Sequence, residues 1–310
     1  MARQADLMMC AVVTDLLALP GVEVSFARDT RLPLPARLRG ARVCWRFPDV
    51  EPAHALAREI GGADAVWPIA PETGGELERA ARAVLDAGRV LLGPRPDAIR
   101  VAASKSATAQ RLARAGVDVV PCFTPGSCWP GIDGPWVVKP DDGAGCVDTR
   151  IVAGSGEAAV AIGDASGHLI AQPWIAGDVG SLCVLSAGGK TEVASVNRQH
   201  VQLDRGTVEL ASIDVNCEAV TPPLAALARR VATAIPGLDG YFGIDYIVAR
   251  GGPVVLEVNP RVTSSYAGLR PALELNAAEW AVAAATRRSL PSGPTHRGRT
   301  ITLNMDGHAD

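Results

Sequence analysis

Phe242-Gly243-Ile244-Asp245-Tyr246-Ile247-Val248, then Arg250-Gly251-Gly252-Pro253, then Val254-Val255-Leu256-Glu257-Val258-Asn259-Pro260-Arg261, is the stretch on which the fold turns. Two apolar, β-branched runs joined by a tight Gly-Gly turn predict an antiparallel hairpin, with strands at 242–249 and 253–258. Side chains alternate across a strand, so Glu257 and Asn259 share one face and Asp245 on the partner strand reaches the same side. Val254, Val255, Leu256 and Val258 mark a buried hairpin, where unpaired carboxylates are costly. Two carboxylates and an amide oxygen are a donor set that a hard cation such as Mg²⁺ prefers, with phosphates and water completing its shell. A solvated strand face is the plainer alternative.

Upstream, Trp136-Val137-Val138-Lys139 forms an apolar strand, followed by Pro140 and Asp141-Asp142-Gly143-Ala144-Gly145. The Lys139 ammonium emerges at a sheet edge beside a loop whose glycines admit an anion and whose N–H groups can cradle it. Alone, such a loop is more often just a turn; beside Lys139 and the acidic hairpin it reads as a phosphate site. Arg198, in Asn197-Arg198-Gln199 at a strand end, and Arg261 and Arg270, flanking Thr263-Ser264-Ser265-Tyr266, are forks suited to acyl-phosphate and carboxylate oxygens. Ordinary surface ion pairs are their alternative. Glu72, in Ala70-Pro71-Glu72-Thr73-Gly74, lies at the carboxyl edge of a strand, where open α/β sheets bind ligands. It either caps the next helix or holds a substrate amine.

Asp245, the Glu257-x-Asn259-Pro260-Arg261 run and the Trp136 to Gly145 stretch, in that spatial logic and chain order, resemble the ATP-grasp superfamily of carboxylate-amine ligases from about Gly93 to Arg270. The resemblance implies an ATP-grasp fold, mixed α/β and α+β, with a Rossmann-like amino-terminal domain. It implies ATP and Mg²⁺ (or Mn²⁺) as cofactors, with Asp245, Glu257 and Asn259 on the metal and the Gly143–Gly145 loop closing over the triphosphate. Lys139 and Lys105, the latter near the start of a helix after Ser104, are the implied phosphate lysines, and Arg261 and Arg198 the implied catalytic arginines. Gln172-Pro173-Trp174-Ile175 matches the hinge beside adenine, read through backbone groups around Trp174 and Ile175. The family commonly has Glu where Gln172 stands; an amide oxygen still accepts from the adenine amino group. The family often has an acid two residues after the Gly of this segment, on the ribose hydroxyls. Here Asp178 directly follows Gly177 and is the candidate.

Within the superfamily, the Pro71-Glu72-Thr73, Asn197-Arg198-Gln199 and Asn259 to Tyr266 segments are similar to the small amino-acid ligases that join tyramine to glutamate in methanofuran synthesis or lysine in pyrrolysine synthesis. That implies small-molecule acid and amine substrates, a glutamate-like acid among them, and is compatible with a homodimer. An ATP-grasp kinase, or a non-catalytic nucleotide-binding protein, is the alternative function.

The 310 residues carry 30 Lys+Arg against 33 Asp+Glu, a formal charge of −3, which disfavours a polybasic nucleic-acid or anionic-membrane partner. With 48% apolar residues the chain can bury a proper core. Seven cysteines without a Cys-x-x-Cys pair, and five histidines (54, 168, 200, 296, 308) without metal spacing, suit reduced thiols in a cytoplasm rather than a zinc site. The amino terminus lacks a basic region followed by an apolar stretch, so no secretory signal is expected. The apolar window from His168 to Gly189 is broken by Pro173, Gly177 and Asp178 and predicts two short strands, not a membrane span. Neither a Gly-x-Ser-x-Gly elbow nor a Gly-x-x-x-x-Gly-Lys-Ser/Thr loop is present, which disfavours serine hydrolases and P-loop NTPases.

Helices are predicted at 5–19, 51–61, 74–87, 97–101, 104–115, 155–163, 222–235 and 275–288. Strands are predicted at 22–27, 41–45, 64–70, 89–92, 117–123, 135–139, 147–152, 168–175, 181–186, 191–198 and 299–304, besides the hairpin. The early alternation of strand and helix argues for a parallel sheet. Three parts follow: 1–96, Rossmann-like; 97–175, a central lid; and 176–310, the carboxyl-terminal ATP-grasp subdomain.

Overall fold

The computed structural model describes residues 2–46, 52–143, 145, 147–163, 169–204, 207–287, 289–290 and 298–305. Ala144, His168, His296 and His308, and most of the loop expected after Ser292, lie outside them. The chain opens with α1 (Ala2–Leu17), then β1 (Ser25–Asp29), β2 (Arg42–Arg46), α2 (Pro52–Gly61), β3 (Ala65–Val66), α3 (Glu76–Asp86) and β4 (Val90–Leu91). β1 pairs with β2 and β3 with β4, both in parallel. The expected parallel pairing is present, but among the described residues it forms two separate pairs instead of one sheet. The strand expected at 64–70 shrinks to Ala65–Val66, since Pro68 and Pro71 have no N–H for a ladder.

Next come α4 (Pro96–Ala103) and α5 (Lys105–Arg114). Ser104 caps α5, its Oγ accepting the Ala107 N–H at 3.0 Å, and Gly116 takes a φ of +69° beyond its end, as the Ser and Gly signals predict. The central part contains β5 (Trp136–Pro140), β6 (Arg150–Val152), α6 (Ser155–Gly163) and β7 (Leu169–Pro173). The remainder is β8 (Asp178–Ala187), β9 (Lys190–Asp204), β10 (Thr207–Glu218), α7 (Pro222–Ala234), β11 (Gly240–Ala249), β12 (Gly252–Asn259), α8 (Tyr266–Leu273), α9 (Ala277–Arg287) and β13 (Ile301–Asn304).

One sheet links the last two parts in the order β12-β11-β8-β9-β10-β6-β5-β7, with β13 on β10. Alternation along β8 sorts its side chains. Leu182 and Val184 face a core with α4, α5 and α7, while Cys183 and Leu185 face one with α1, α8 and α9. Ala98, Ala102 and Leu112 sit in the first of these cores, so α4 and α5, grouped with the lid by a boundary at 97, pack on the carboxyl-terminal strands. The lid strands have their own core of Trp136, Val138, Val152, Ala158, Ile162 and Ala171.

The strand expected at 117–123 is instead a connector. Val119 bridges to Val255 of β12 and Phe123 to Ala171 of β7, the two ends of the strand path. The sheet curls until five residues span its ends, and Val120 of this connector lines the cavity described below. β10 and α8 have no counterpart among the predicted elements. In β10 the apolar alternation of Val208 and Leu210 slips at a register shift between Leu210 and Ser212 before resuming at Ile213 and Val215, which hides its period of two. In α8 an internal Pro271 masks the helical period.

Candidate active site

A cavity of about 470 Å³ lies between the lid strands and the β11–β12 hairpin, lined by Lys105, Lys139, Gly143, Gly145, Gln172, Trp174, Ile175, Asp178, Arg198, Asp245 and Glu257. Residues from six separate stretches of sequence thus meet at one place. Asn259 joins them through Asp245, and Arg261 lies behind, among the charges acting on Glu257.

The hairpin supplies the acidic centre. Ala249 pairs with Gly252 around Arg250 and Gly251, a register that alone would face Asp245 with Leu256; an irregularity between Asp245 and Tyr246 inserts Leu256 as an extra residue and so sets Asp245 directly opposite Glu257 and Gly243 opposite Asn259. Asp245 is held by two amides: Gln199 Nε2 donates to Oδ1 at 3.0 Å and Asn259 Nδ2 to Oδ2 at 3.1 Å. Burial and the facing Glu257 push the Asp245 carboxyl up to about 8. Burial also pushes Glu257 upward, but Lys105, Lys139, a hydrogen bond from Asp245 and Arg261 together bring it below its usual value. The pair therefore holds one proton at neutral pH and gives it up as pH rises through about 8, an arrangement a divalent cation would replace. Oxygen donors from two carboxylates and an amide fit Mg²⁺. Among the described residues no group of three or more His, Cys, Asp or Glu side chains is placed to hold a metal, so a cation held at this pair would need oxygen donors beyond the two carboxylates.

The cationic wall is as well ordered. Lys105 is the first residue of α5 and only 7% exposed; its Nζ donates to the carbonyls of Gly143 (2.5 Å) and Asp141 (3.4 Å) and lies 3.7 Å from Glu257 Oε2. Lys139, also 7% exposed, occupies β5 opposite Ile170 of β7. Asp142, at the stem of the glycine-rich loop, is tied to the amino-terminal part, its Oδ2 accepting the Gly74 N–H at 2.9 Å and its carbonyl the Thr73 hydroxyl at 3.1 Å.

The apolar lining includes Val120, Val137, Pro173, Ile175, Ile247 and Leu256. Gln172 beside them is 2% exposed, and neither amide atom has a hydrogen-bond partner among the described residues. One expectation for the hinge needs correction. The Trp174 N–H donates to the Pro135 carbonyl at 2.9 Å, so it is committed to the lid and cannot read a ligand edge. The expectation narrows to the Trp174 carbonyl and the Ile175 backbone. Gly177 has to be glycine, because a Cβ there would come within 2.3 Å of the Val248 carbonyl oxygen; that close approach seats Asp178 at the rim of the cavity.

The arginines differ from one another. Arg261 Nε is 2.9 Å from Glu72 Oε1, within ion-pair distance but out of hydrogen-bond alignment, and both groups are largely buried. Glu72 makes no capping bond from its side chain, which removes the helix-cap alternative. Arg198 lies at the cavity rim in an exposed pair with Glu218 at 2.8 Å. Arg270 is not part of the site: it pairs with Asp15 of α1 at 3.0 Å, where the Tyr266 hydroxyl also donates at 2.9 Å. Gln199 was legible only as part of a segment; its role beside Asp245 depends on β9 and β11 being brought together across β8.

Residues 102–265 match the ATP-grasp domain and residues 22–99 the pre ATP-grasp 3 domain. The chain belongs to the ATP-grasp family. The tyramine–L-glutamate ligase of Methanocaldococcus jannaschii is 31% identical to this ATP-grasp chain over 103 residues, a match spanning 33% of this chain and 32% of the relative. Among solved structures, an L-amino acid ligase from Bacillus licheniformis superposes with a TM-score of 0.68 at 19% identity, over 89% of this chain and 71% of that one. Biotin carboxylase from Campylobacter jejuni gives 0.71 at 18%, over 92% and 70%. At such identities the likeness is one of fold. No helix among the described residues is long and apolar enough to cross a membrane.

Proposed function

We propose that the chain is an ATP-dependent carboxylate-amine ligase. A carboxylate oxygen attacks the γ-phosphorus of ATP, ADP leaves, and the acyl phosphate is attacked by an amine nitrogen, which loses a proton as phosphate departs and the amide forms. The observation that carries this reading is the meeting of Lys105, Lys139 and the Asp245–Glu257 pair in one cleft that also has apolar lining. The charged groups suit a triphosphate and the apolar side chains a purine.

Asp245, Glu257 and Asn259 would hold a Mg²⁺ ion, which supplies charge neutralisation for the phosphates. Lys105 and Lys139 take the remaining charge and fix the γ-phosphate, so catalysis is positioning and electrostatics without a side-chain nucleophile. Arg261 would hold the carboxylate and acyl-phosphate oxygens, and Glu72, 2.9 Å from it, the ammonium of an amino-acid-like substrate. The relative's name, a glutamate ligase, supports a glutamate-like acid. A division at 1–96, 97–175 and 176–310 goes with this reading, with α4 and α5 serving the carboxyl-terminal core.

Oxygen-18 in the substrate carboxylate tests the reaction type. Under this mechanism the label appears in released phosphate. Label in AMP would mean an adenylate, and transfer to a hydroxyl without phosphate release would mean a kinase; either result overturns the proposal.

A further inference from the structure

Asp141 stands two residues after Lys139 and two before Gly143, between the parts of the phosphate wall. A carboxylate there would repel an anion unless its charge were taken up elsewhere. It is taken up by the start of α5. Asp141 Oδ1 accepts the Ser106 N–H at 2.7 Å, and Oδ2 accepts the hydroxyls of Ser104 at 2.6 Å and Ser106 at 3.0 Å. Its carbonyl accepts the Lys105 N–H at 3.0 Å. Helix α5 already has its own cap, because Ser104 Oγ accepts the Ala107 N–H. The carboxylate therefore adds a tertiary tie across 35 residues of chain, from the end of β5 to the helix that begins with Lys105.

That tie has a positional consequence. Lys105 and the loop stem are joined twice, through Asp141 and through Lys105 Nζ on the Gly143 carbonyl. Lys139 leads into the same stem along β5. We infer that Asp141 is a positioning residue for the nucleotide phosphates: it acts through Lys105, locking that ammonium into register with Lys139 and Gly143. The inference rests on the reading of the cavity as an ATP site.

Calorimetry on the full chain with MgATP and with adenosine tests it. Asp141→Ala is expected to weaken MgATP roughly tenfold, the size of a lost charge-assisted cap, while adenosine changes by less than about twofold. Asp141→Asn, whose Oδ1 can still accept the Ser106 N–H, is expected to fall between. In a Lys105→Ala background Asp141→Ala should add almost nothing, because a residue acting through another is not additive with it. Unchanged MgATP affinity, an equal loss for adenosine, or a full additive loss in the double variant would each overturn the inference. If Asp141→Ala does not fold, Ser106→Ala, which removes one hydroxyl tie to Asp141 and leaves the Ser104 cap of α5 in place, is expected to show a smaller loss in the same direction. A wild-type chain that fails to bind MgATP would overturn the ATP-site reading as well, whereas binding by the wild type with no effect of these variants overturns the positioning role alone.

Discussion

Asp245 and Glu257 face each other in direct register on neighbouring antiparallel strands, inside a cavity where Lys105 reaches within 3.7 Å of Glu257. Two carboxylates this close do not both ionise readily without a cation. The hairpin therefore stores an electrostatic conflict that ligand binding would relieve, and the first two predictions follow from it.

Asp245 is raised from 3.8 in its ordinary state to about 8 by burial and by Glu257. The folded protein thus holds a proton that the unfolded chain has already lost, so the associated stability is present below about pH 4 and is lost as pH rises through about 8. Thermal melts from pH 5.5 to 8.5 should show falling stability without divalent ions. The rise in Tm on adding MgCl₂ should be larger at pH 8.5 than at pH 6. A Mg²⁺ effect that shrinks with rising pH would contradict this.

Glu257→Gln and Asn259→Ala should each lower turnover on the order of a hundredfold or more, the scale of a lost metal contribution, while the protein stays folded. The hairpin's apolar face, including Val255 and Val258, is untouched by either change. Phosphate release and circular dichroism on the same samples check both halves of this expectation.

Lys139→Ala should weaken ATP by roughly ten- to a hundredfold, as expected for a lost charge-assisted hydrogen bond, and adenosine far less. It lines the cavity together with Lys105 and Gly143. Equal losses for the two ligands, measured by calorimetry, would make Lys139 a structural residue.

Gln172→Leu should move stability and binding in opposite directions. Both amide atoms of Gln172 are buried without a partner, so an apolar side chain of similar size should stabilise the ligand-free protein by about 1–3 kcal/mol. The same change removes the group available to the adenine amino function and should weaken ATP. A variant with lower Tm and unchanged ATP affinity would show that Gln172 serves the fold instead.

Local pattern was enough to read the hairpin from Gly240 to Asn259, the Ser104 cap of α5 and the strand that carries Lys139, because each depends on neighbours in the chain: alternation, a turn, a capping hydroxyl. The order of those motifs was also enough for the family. Local pattern failed where distant segments decide. β10 is hidden by its register shift and exists as a strand because β9, β6 and β13 pair with it. The expected strand at 117–123 became a connector because its residues bridge opposite ends of a curled sheet. The same distinction runs through the site. The residue types of Asp245, Glu257, Lys105 and Lys139 are written in the sequence, and so is their chemistry. Which arginine faces Glu72, which one merely docks α1, which backbone N–H the lid has already consumed, and which amides grip Asp245 were decided by packing between segments far apart in the chain, since hydrogen-bond partners and burial are properties of the folded surroundings and not of the residue.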